Sequence, residues 1–216
     1  MKKSIFIGCD IGTSGTKAVA VDIHGKILAK SYEPYGIIQL HTNWAEQNPD
    51  VWLDASIKTI REVITQLKDK NSIESLCISA LYGGTGAMCG EDMTPIRPAI
   101  IWMDRRAEKE SQEIIDKFSQ ESIFKTSGNG VDSYFGYTKL LWVKKHEPDN
   151  WKKIKHILPI HSYIIYKMTG KLTVDYCSAG NMGGIYDYSH HCWSKDMCER
   201  LGICLLYTSP SPRDRQ

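Results

Sequence analysis

The stretch "SIFIGCDIGTSGTKAVAVDIHGKILAKSY", residues 4–32, decides how the amino-terminal part of the chain folds. Ser4 to Cys9 is an apolar run that reads as a buried strand. Lys17 to Ile23 alternates Ala18, Ala20 and Asp22 against Val19, Val21 and Ile23, the period of two that marks a second strand. His24-Gly25 turns the chain into Ile27 to Tyr32. Strand, glycine-rich loop, strand, turn and strand make an antiparallel meander, with "GCDIGTSGTK" (Gly8 to Lys17) at its first hairpin tip.

That order excludes two familiar phosphate loops. A P-loop needs G-x-x-x-x-G-K-[ST] opening a helix, whereas Thr16 separates Gly15 from Lys17 and a β-branched, alternating element comes next. A dinucleotide fingerprint fails for the same reason. The tip still has phosphate chemistry: peptide N–H groups from Gly12 to Thr16, hydroxyls on Thr13, Ser14 and Thr16, and the Lys17 cation, with glycine permitting close backbone approach. Asp10 would repel phosphate directly, so it fits only with a hydrated Mg²⁺ between them. On these residues alone, a phosphate site and a plain turn both stay open.

Downstream, Asn48-Pro49-Asp50 supplies an N-cap, a proline at the first helical position and a first-turn acid. Ala55, Ile60, Val63, Ile64 and Leu67 then recur at helical spacing. Ser75 to Ala80 reads as a short buried strand leading into "LYGGTGAMCG", and "TPIRPAIIWMD" as a further strand ending at Asp104. Asp104 is the expected cap of a helix through Phe118, with Ala107, Ile114, Ile115 and Phe118 on its apolar side and Arg105 and Arg106 solvated. A helix is predicted from Gly136 to Glu147-Pro148, and a short one over Ser162 to Met168; Leu172 to Ile203 is tyrosine- and glycine-rich without a clear period. Antiparallel strands first, then strands interleaved with helices, give an α/β class with a mixed sheet.

The formal charge is +2, of which Arg213, Asp214 and Arg215 contribute a net +1, so nothing electrostatic points to nucleic acid or an anionic membrane. No stretch approaches the about 18 to 20 apolar residues of a membrane span, and Lys2-Lys3 is followed by too few apolar residues for a signal sequence. A cytoplasmic protein is expected. Seven cysteines without a C-x-x-C pair fit reduced thiols, and His190, His191, Cys192 and Cys198 match no standard zinc spacing. The last segment, "CLLYTSPSPRDRQ" from Cys204 on, breaks the pattern. Read back through the genetic code, Cys204 to Asp214 resembles a transposase adaptor used in sequencing libraries, codon by codon. The expectation is a native domain over residues 1–203, cut near Ile203, and an adaptor-encoded tail over 204–216.

Asp10 to Lys17 resembles the first phosphate loop of the actin, Hsp70 and sugar-kinase ATPase superfamily. "NWAEQNPDVW" (Asn43 to Trp52), "RPAIIWMDRRA" (Arg97 to Ala107), "SYFGYTKLLWVKKHEPDNW" (Ser133 to Trp151) and "YIIYKMTGKLTVDYCSAGN" (Tyr163 to Asn181) narrow it. Together they resemble the amino-terminal domain of the FGGY carbohydrate kinases, xylulokinase-like members above all, in the family's order over residues 4 to 203. The resemblance implies an RNase H-like α/β fold and transfer of the γ-phosphoryl group of ATP, with Mg²⁺, to a hydroxyl of a small sugar. Asp10 would then organise the metal and γ-phosphate, and Gly12, Thr13, Ser14, Thr16 and Lys17 would hold the phosphates. The turn Leu81, Tyr82, Gly83 falls where the family places substrate contacts, and Trp102 and Tyr134 where relatives line the sugar pocket. A core role for Trp102 stays open beside this, as does a purely structural role for Trp44, Glu46 and Gln47.

Two departures bear on the substrate. Many ketose-kinase relatives carry a Gln-Met-His-Gly type turn where this chain has Leu81-Tyr82-Gly83-Gly84. The Arg-Glu pair of glycerol-kinase practice is missing too. The resemblance places the general-base aspartate and the adenosine-binding second domain beyond this sequence, so the chain by itself is expected to be inactive. A pentulose such as xylulose is the favoured substrate, with a hexulose, gluconate or a tetritol as alternatives and a non-catalytic nucleotide-responsive module as the rival. The partners implied are the sugar, the missing carboxy-terminal domain and, for the complete protein, a homodimer.

Overall fold

The computed structural model describes residues 4–203; the predicted tail over 204–216 lies outside the described residues. In chain order the strands are β1 (Ile5–Ile11), β2 (Gly15–Asp22), β3 (Ile27–Pro34), β4 (Glu46–Gln47), β5 (Ile73–Ala80), β6 (Ala87–Cys89), β7 (Ala99–Ile100), β8 (His156–Leu158), β9 (Tyr186–Asp187) and β10 (Cys192–Trp193). The helices are α1 (Pro49–Gln66), α2 (Glu108–Lys117), α3 (Gln120–Ser127), α4 (Gly136–His146), α5 (Pro148–Lys153), α6 (Ile160–Thr169), α7 (Tyr176–Gly180) and α8 (Lys195–Leu201). The chain divides into two compact units, one holding the residues up to Ile37 with Asp50–Leu81, the other Ile38–Pro49 with the residues from Tyr82 on.

The first unit is built on a four-stranded sheet in the order β3-β2-β1-β5. The meander appears as expected: β1 pairs antiparallel with β2, and β2 with β3, while β5 joins β1 in parallel, which makes the sheet mixed. The first two strands reach further into the glycine-rich segment than the sequence suggests, leaving only Gly12–Ser14 as the turn. Ile5, Ile7, Cys9 and Ile11 are buried on one face, and Ala18 and Ala20 stand opposite Cys9 and Ile7 on that face. The Cys9 thiol meets the Ser56 and Thr59 hydroxyls of α1, and burial pushes its pKa up. Small alanines at these sheet positions leave room for the helix, whose Ala55, Ile60 and Val63 are buried as predicted. Strand β5 corrects an expectation. Its apolar sequence reads as buried, yet most of it is exposed, because it stands at the sheet edge with one flank paired.

The second unit has small two-stranded sheets, β4-β7, β6-β8 and β9-β10, set among helices α2 to α8. Its core gathers Met88, Ile100, Ile123, Leu140, Val143, Ile157 and Ile185. Helix α2 starts at Glu108, with Ala107 as its N-cap, so Asp104 does not cap it. Helix α3 adds to the elements expected from sequence, although Ser119 accepts from Ser122 N at its start and Gly128 closes it in the left-handed region, both legible signals. Leu172 to Ile203, without a clear period in sequence, forms α7, the β9-β10 pair and α8.

Candidate functional site

In the first unit, Asp10 and Lys17 stand directly opposite each other across β1 and β2, both exposed on the face away from the buried isoleucines. Opposite residues of an antiparallel pair share a face, so the acid and the cation are brought side by side by register. Beyond them the chain turns tightly: the Gly12 N–H donates to Gly15 O (3.0 Å). Two tyrosines of the β3 region, which the sequence does not single out, brace this turn from behind. Tyr35 Oη donates to Gly12 O (2.7 Å) and lies 3.2 Å from Thr16 Oγ1, while Tyr32 Oη donates to Ser14 O (3.0 Å). Burial pushes the Tyr35 hydroxyl up to about 12, so it is a neutral donor at any physiological pH.

This geometry revises the donor set expected of the tip. Thr16 is fully buried against Tyr35, and the Gly12 N–H is spent within the turn. A Cβ at Gly15 would lie 2.5 Å from Tyr32 Oη and 2.6 Å from Glu33 O, and one at Gly12 would lie 3.1 Å from Gly15 O. The glycines therefore let the protein's own backbone close up, rather than opening room for a ligand. What remains facing outward is Ser14, Lys17 and Asp10, with Thr13 half-buried beside them. No cluster of three or more His, Cys, Asp or Glu residues is present among the described residues, the histidines and cysteines of 190–198 included. A lone exposed carboxylate at Asp10 suits a cation that keeps most of its water, as Mg²⁺ does.

In the second unit, three of the sequence-predicted substrate residues come together. Gly83, at φ +86°, sits between two aromatic side chains: a Cβ there would lie 2.8 Å from Trp102 Cβ and 2.8 Å from Tyr134 Cζ. The turn is threaded deeply. Gly84 bridges to Ile101, and a Cβ at Gly136, the first residue of α4, would lie 2.5 Å from Gly84 O. Trp102 is 36% exposed, so it is not a core residue in this unit. It lies in a turn after β7, because that strand ends at Ile100. Tyr82 points elsewhere: its hydroxyl donates to Cys177 O (2.9 Å), and its ring lines an open groove of about 660 Å³ with Phe124, Asn129, Tyr176 and Tyr188. His161 braces the same region through Asp175 (2.9 Å), which caps α7; burial lowers the His161 pKa, against the pull of Asp175.

Behind the Trp102 turn lies a buried ionic network where the sequence suggests solvated charge. Asp104 is fully buried and accepts from Ala45 N (2.6 Å), Arg106 N (2.9 Å) and the Arg106 guanidinium (2.7 Å at Nη2). Arg106 also pairs with Glu46 (2.6 Å) and stacks on Trp44, 3.8 Å from the ring centroid. Glu46 is shared with Arg97, which reaches Glu147 as well (2.9 Å). Arg105 alone fits the expectation, pairing at the surface with Asp132 (2.7 Å). Glu46 and Gln47 are thus buried strand residues that anchor β7, the strand that leads to Trp102.

Comparison with known proteins agrees with this architecture. The family model described as "FGGY family of carbohydrate kinases, N-terminal domain" matches residues 5–208. Xylulose kinase of Bacillus subtilis is 31% identical over 202 residues, covering 91% of this chain and 39% of that protein. Xylulose kinase of Escherichia coli is 30% identical over 204 residues, covering 92% and 40%. Among solved structures, gluconate kinase from Lactobacillus acidophilus superposes with a TM-score of 0.88 at 26% identity, covering 95% of this chain and 41% of that one. Xylulose kinase from Rhodospirillum rubrum gives 0.89 at 25%, covering 96% and 42%. The chain spans about two-fifths of the length of these relatives.

Proposed function

The chain belongs to the FGGY family of carbohydrate kinases, and from that premise we propose that the protein it comes from phosphorylates a small sugar with ATP, a pentulose such as xylulose being the favoured substrate. The observation that carries this reading is the meeting of Gly83, Trp102 and Tyr134. A half-exposed indole beside a tyrosine offers an aromatic face to the apolar C–H side of a sugar and a hydroxyl to its rim. The tight turn at Gly83 brings backbone up to the same place.

The hairpin of the first unit offers phosphate chemistry of its own. Ser14 and Thr13 offer short polar contacts to phosphate oxygens, and Lys17 offers a charge-assisted one. Asp10 would hold Mg²⁺, which would supply positive charge to neutralise the phosphates. Gly12 and Thr16 act by shaping the turn, through Gly15 and Tyr35. Tyr82 contributes a ring rather than a hydroxyl, which Cys177 already engages.

The test is ATP consumption with a panel of D-xylulose, a hexulose, gluconate, a tetritol and glycerol, run on the full-length gene product and on the 216-residue chain. Turnover with D-xylulose by the full-length product, and none by the 216-residue chain, is expected. Preference for gluconate would replace the substrate and keep the reaction. ATP consumption unchanged by every sugar would overturn the reading in favour of a non-catalytic nucleotide-responsive module.

A further inference from the structure

Lys139 is the least expected residue of the second unit. It lies in the second turn of α4 and is fully buried, and its ammonium reaches back past the helix start to the carbonyls of Ser133 and Tyr134 (2.8 Å to the latter). Both its position and its burial work against a cation. The amino-terminal end of a helix carries partial positive charge, and burial disfavours the charged amine. The fold answers with acceptors rather than with solvent. Asp104 and Asp132 face the amine and favour its charge, while Arg105 and Arg106 oppose it; burial outweighs them all and brings its pKa down to about 7.

The carbonyls it holds belong to a segment with several further hydrogen bonds. Tyr134 N donates to Asp132 Oδ1 (2.6 Å), which also pairs with Arg105. The Thr138 hydroxyl lies 3.2 Å from Asp132 O and 2.9 Å from Phe135 O. With Lys139 on Ser133 O and Tyr134 O, the N–H and the carbonyl of Tyr134 are both held. A methionine would fill the same volume without the electrostatic cost, but would leave buried carbonyls unpaired. What the cost secures is the placement of one side chain, the Tyr134 ring that closes on Gly83 beside Trp102.

We propose that Lys139 is the positioning residue of the sugar-facing aromatic pair: by holding the Ser133 and Tyr134 carbonyls it sets Tyr134 against Gly83 and Trp102, and so sets sugar affinity. The proposal rests on the sugar-kinase reading for its ligand, not for its geometry. Charge-assisted bonds to the carbonyls are stronger than those of the neutral amine. Affinity is therefore greater below the Lys139 pKa and falls as the pH rises through it.

The experiment is a backbone-amide NMR titration of the 216-residue chain, from pH 5.5 to 9, with D-xylulose affinity measured alongside for the wild type, K139M and K139R. The amides of Tyr134 and Phe135 are expected to share one midpoint near 7, absent in K139M. D-xylulose affinity is expected to fall about tenfold in K139M, the loss of charge-assisted bonds, with partial recovery in K139R. Amides that stay silent over this range, or titrate alike in K139M, would overturn the proposal, as would unchanged affinity in K139M. Should K139M not fold, the wild-type titration and K139R decide. Failure of the wild type to bind D-xylulose would count against the pentulose reading, while an intact titration would still support the hold of Lys139 on Tyr134.

Discussion

Replacing Gly83 by alanine probes the site where turn, indole and phenol meet. The added Cβ would stand 2.8 Å from Trp102 Cβ and from Tyr134 Cζ, and 3.0 Å from Tyr134 Oη. Carbon atoms settle at about 3.5–4.0 Å, so the methyl group must displace the Tyr134 ring and the Trp102 Cβ by several tenths of an ångström. The backbone beneath both side chains resists such a shift, since Lys139 and Asp132 hold the Tyr134 backbone and β4 anchors the strand before Trp102. Overpacking of this kind costs about 1–3 kcal/mol, and an alanine held at a left-handed φ adds about 1–2 kcal/mol. The sum, about 2–5 kcal/mol, corresponds to a fall in Tm of roughly 4–20 °C for a chain of this size. The control is Gly130→Ala, where nothing lies within 4 Å and φ is not positive. That change is expected to be neutral or to stabilise by about 0.4–1 kcal/mol. Thermal unfolding followed by far-ultraviolet circular dichroism and by tryptophan fluorescence reads both. If Gly83→Ala melts with the wild type and with Gly130→Ala, the close packing of Gly83 between the Trp102 and Tyr134 side chains is refuted.

Two further outcomes are expected. Tyr35→Phe removes the bond to Gly12 O and the Thr16 contact, and should destabilise the chain by about 1–3 kcal/mol, read as a lower urea midpoint; an unchanged midpoint would mean that the hairpin tip does not depend on its tyrosine brace. Arg106→Leu leaves Glu46 and Asp104 buried with fewer partners and should cost about 3–5 kcal/mol; adding Glu46→Leu should return part of that loss, and simple additivity would show that the two side chains are not coupled.

The meander was legible because its information is local. Alternating residues from Lys17 to Ile23, the His24-Gly25 turn and the apolar run before Gly8 each report their own conformation, and hydrogen bonding between neighbours in sequence joins them. Helix α1 was legible for the same reason, through Asn48-Pro49-Asp50 and its apolar spacing. Strand β5 is identifiable as a strand, but its burial is not. An apolar run states a preference for β structure and does not say whether a strand sits inside a sheet or at its edge.

The site residues divide along the same line. Residue types at the glycine-rich tip could be read directly, and register then placed Asp10 beside Lys17. Which donors face outward could not be read, because Tyr32 and Tyr35 enter from the following strand and claim Ser14 O, Gly12 O and Thr16. Arg105 and Arg106 are adjacent and chemically identical, yet one lies at the surface and the other is buried between Trp44 and Trp142. Their difference is set by Glu46 and Asp104, which offset the desolvation of one guanidinium and not of the other. By itself the sequence determined the α/β class, the meander and the kinds of chemistry each motif can carry, since these depend on periodicity and side-chain type. Only the tertiary structure decided that Gly83, Trp102 and Tyr134 meet, that Lys139 is buried behind them and that Thr16 turns inward. Contacts between distant segments depend on packing and desolvation, which leave no period in the chain.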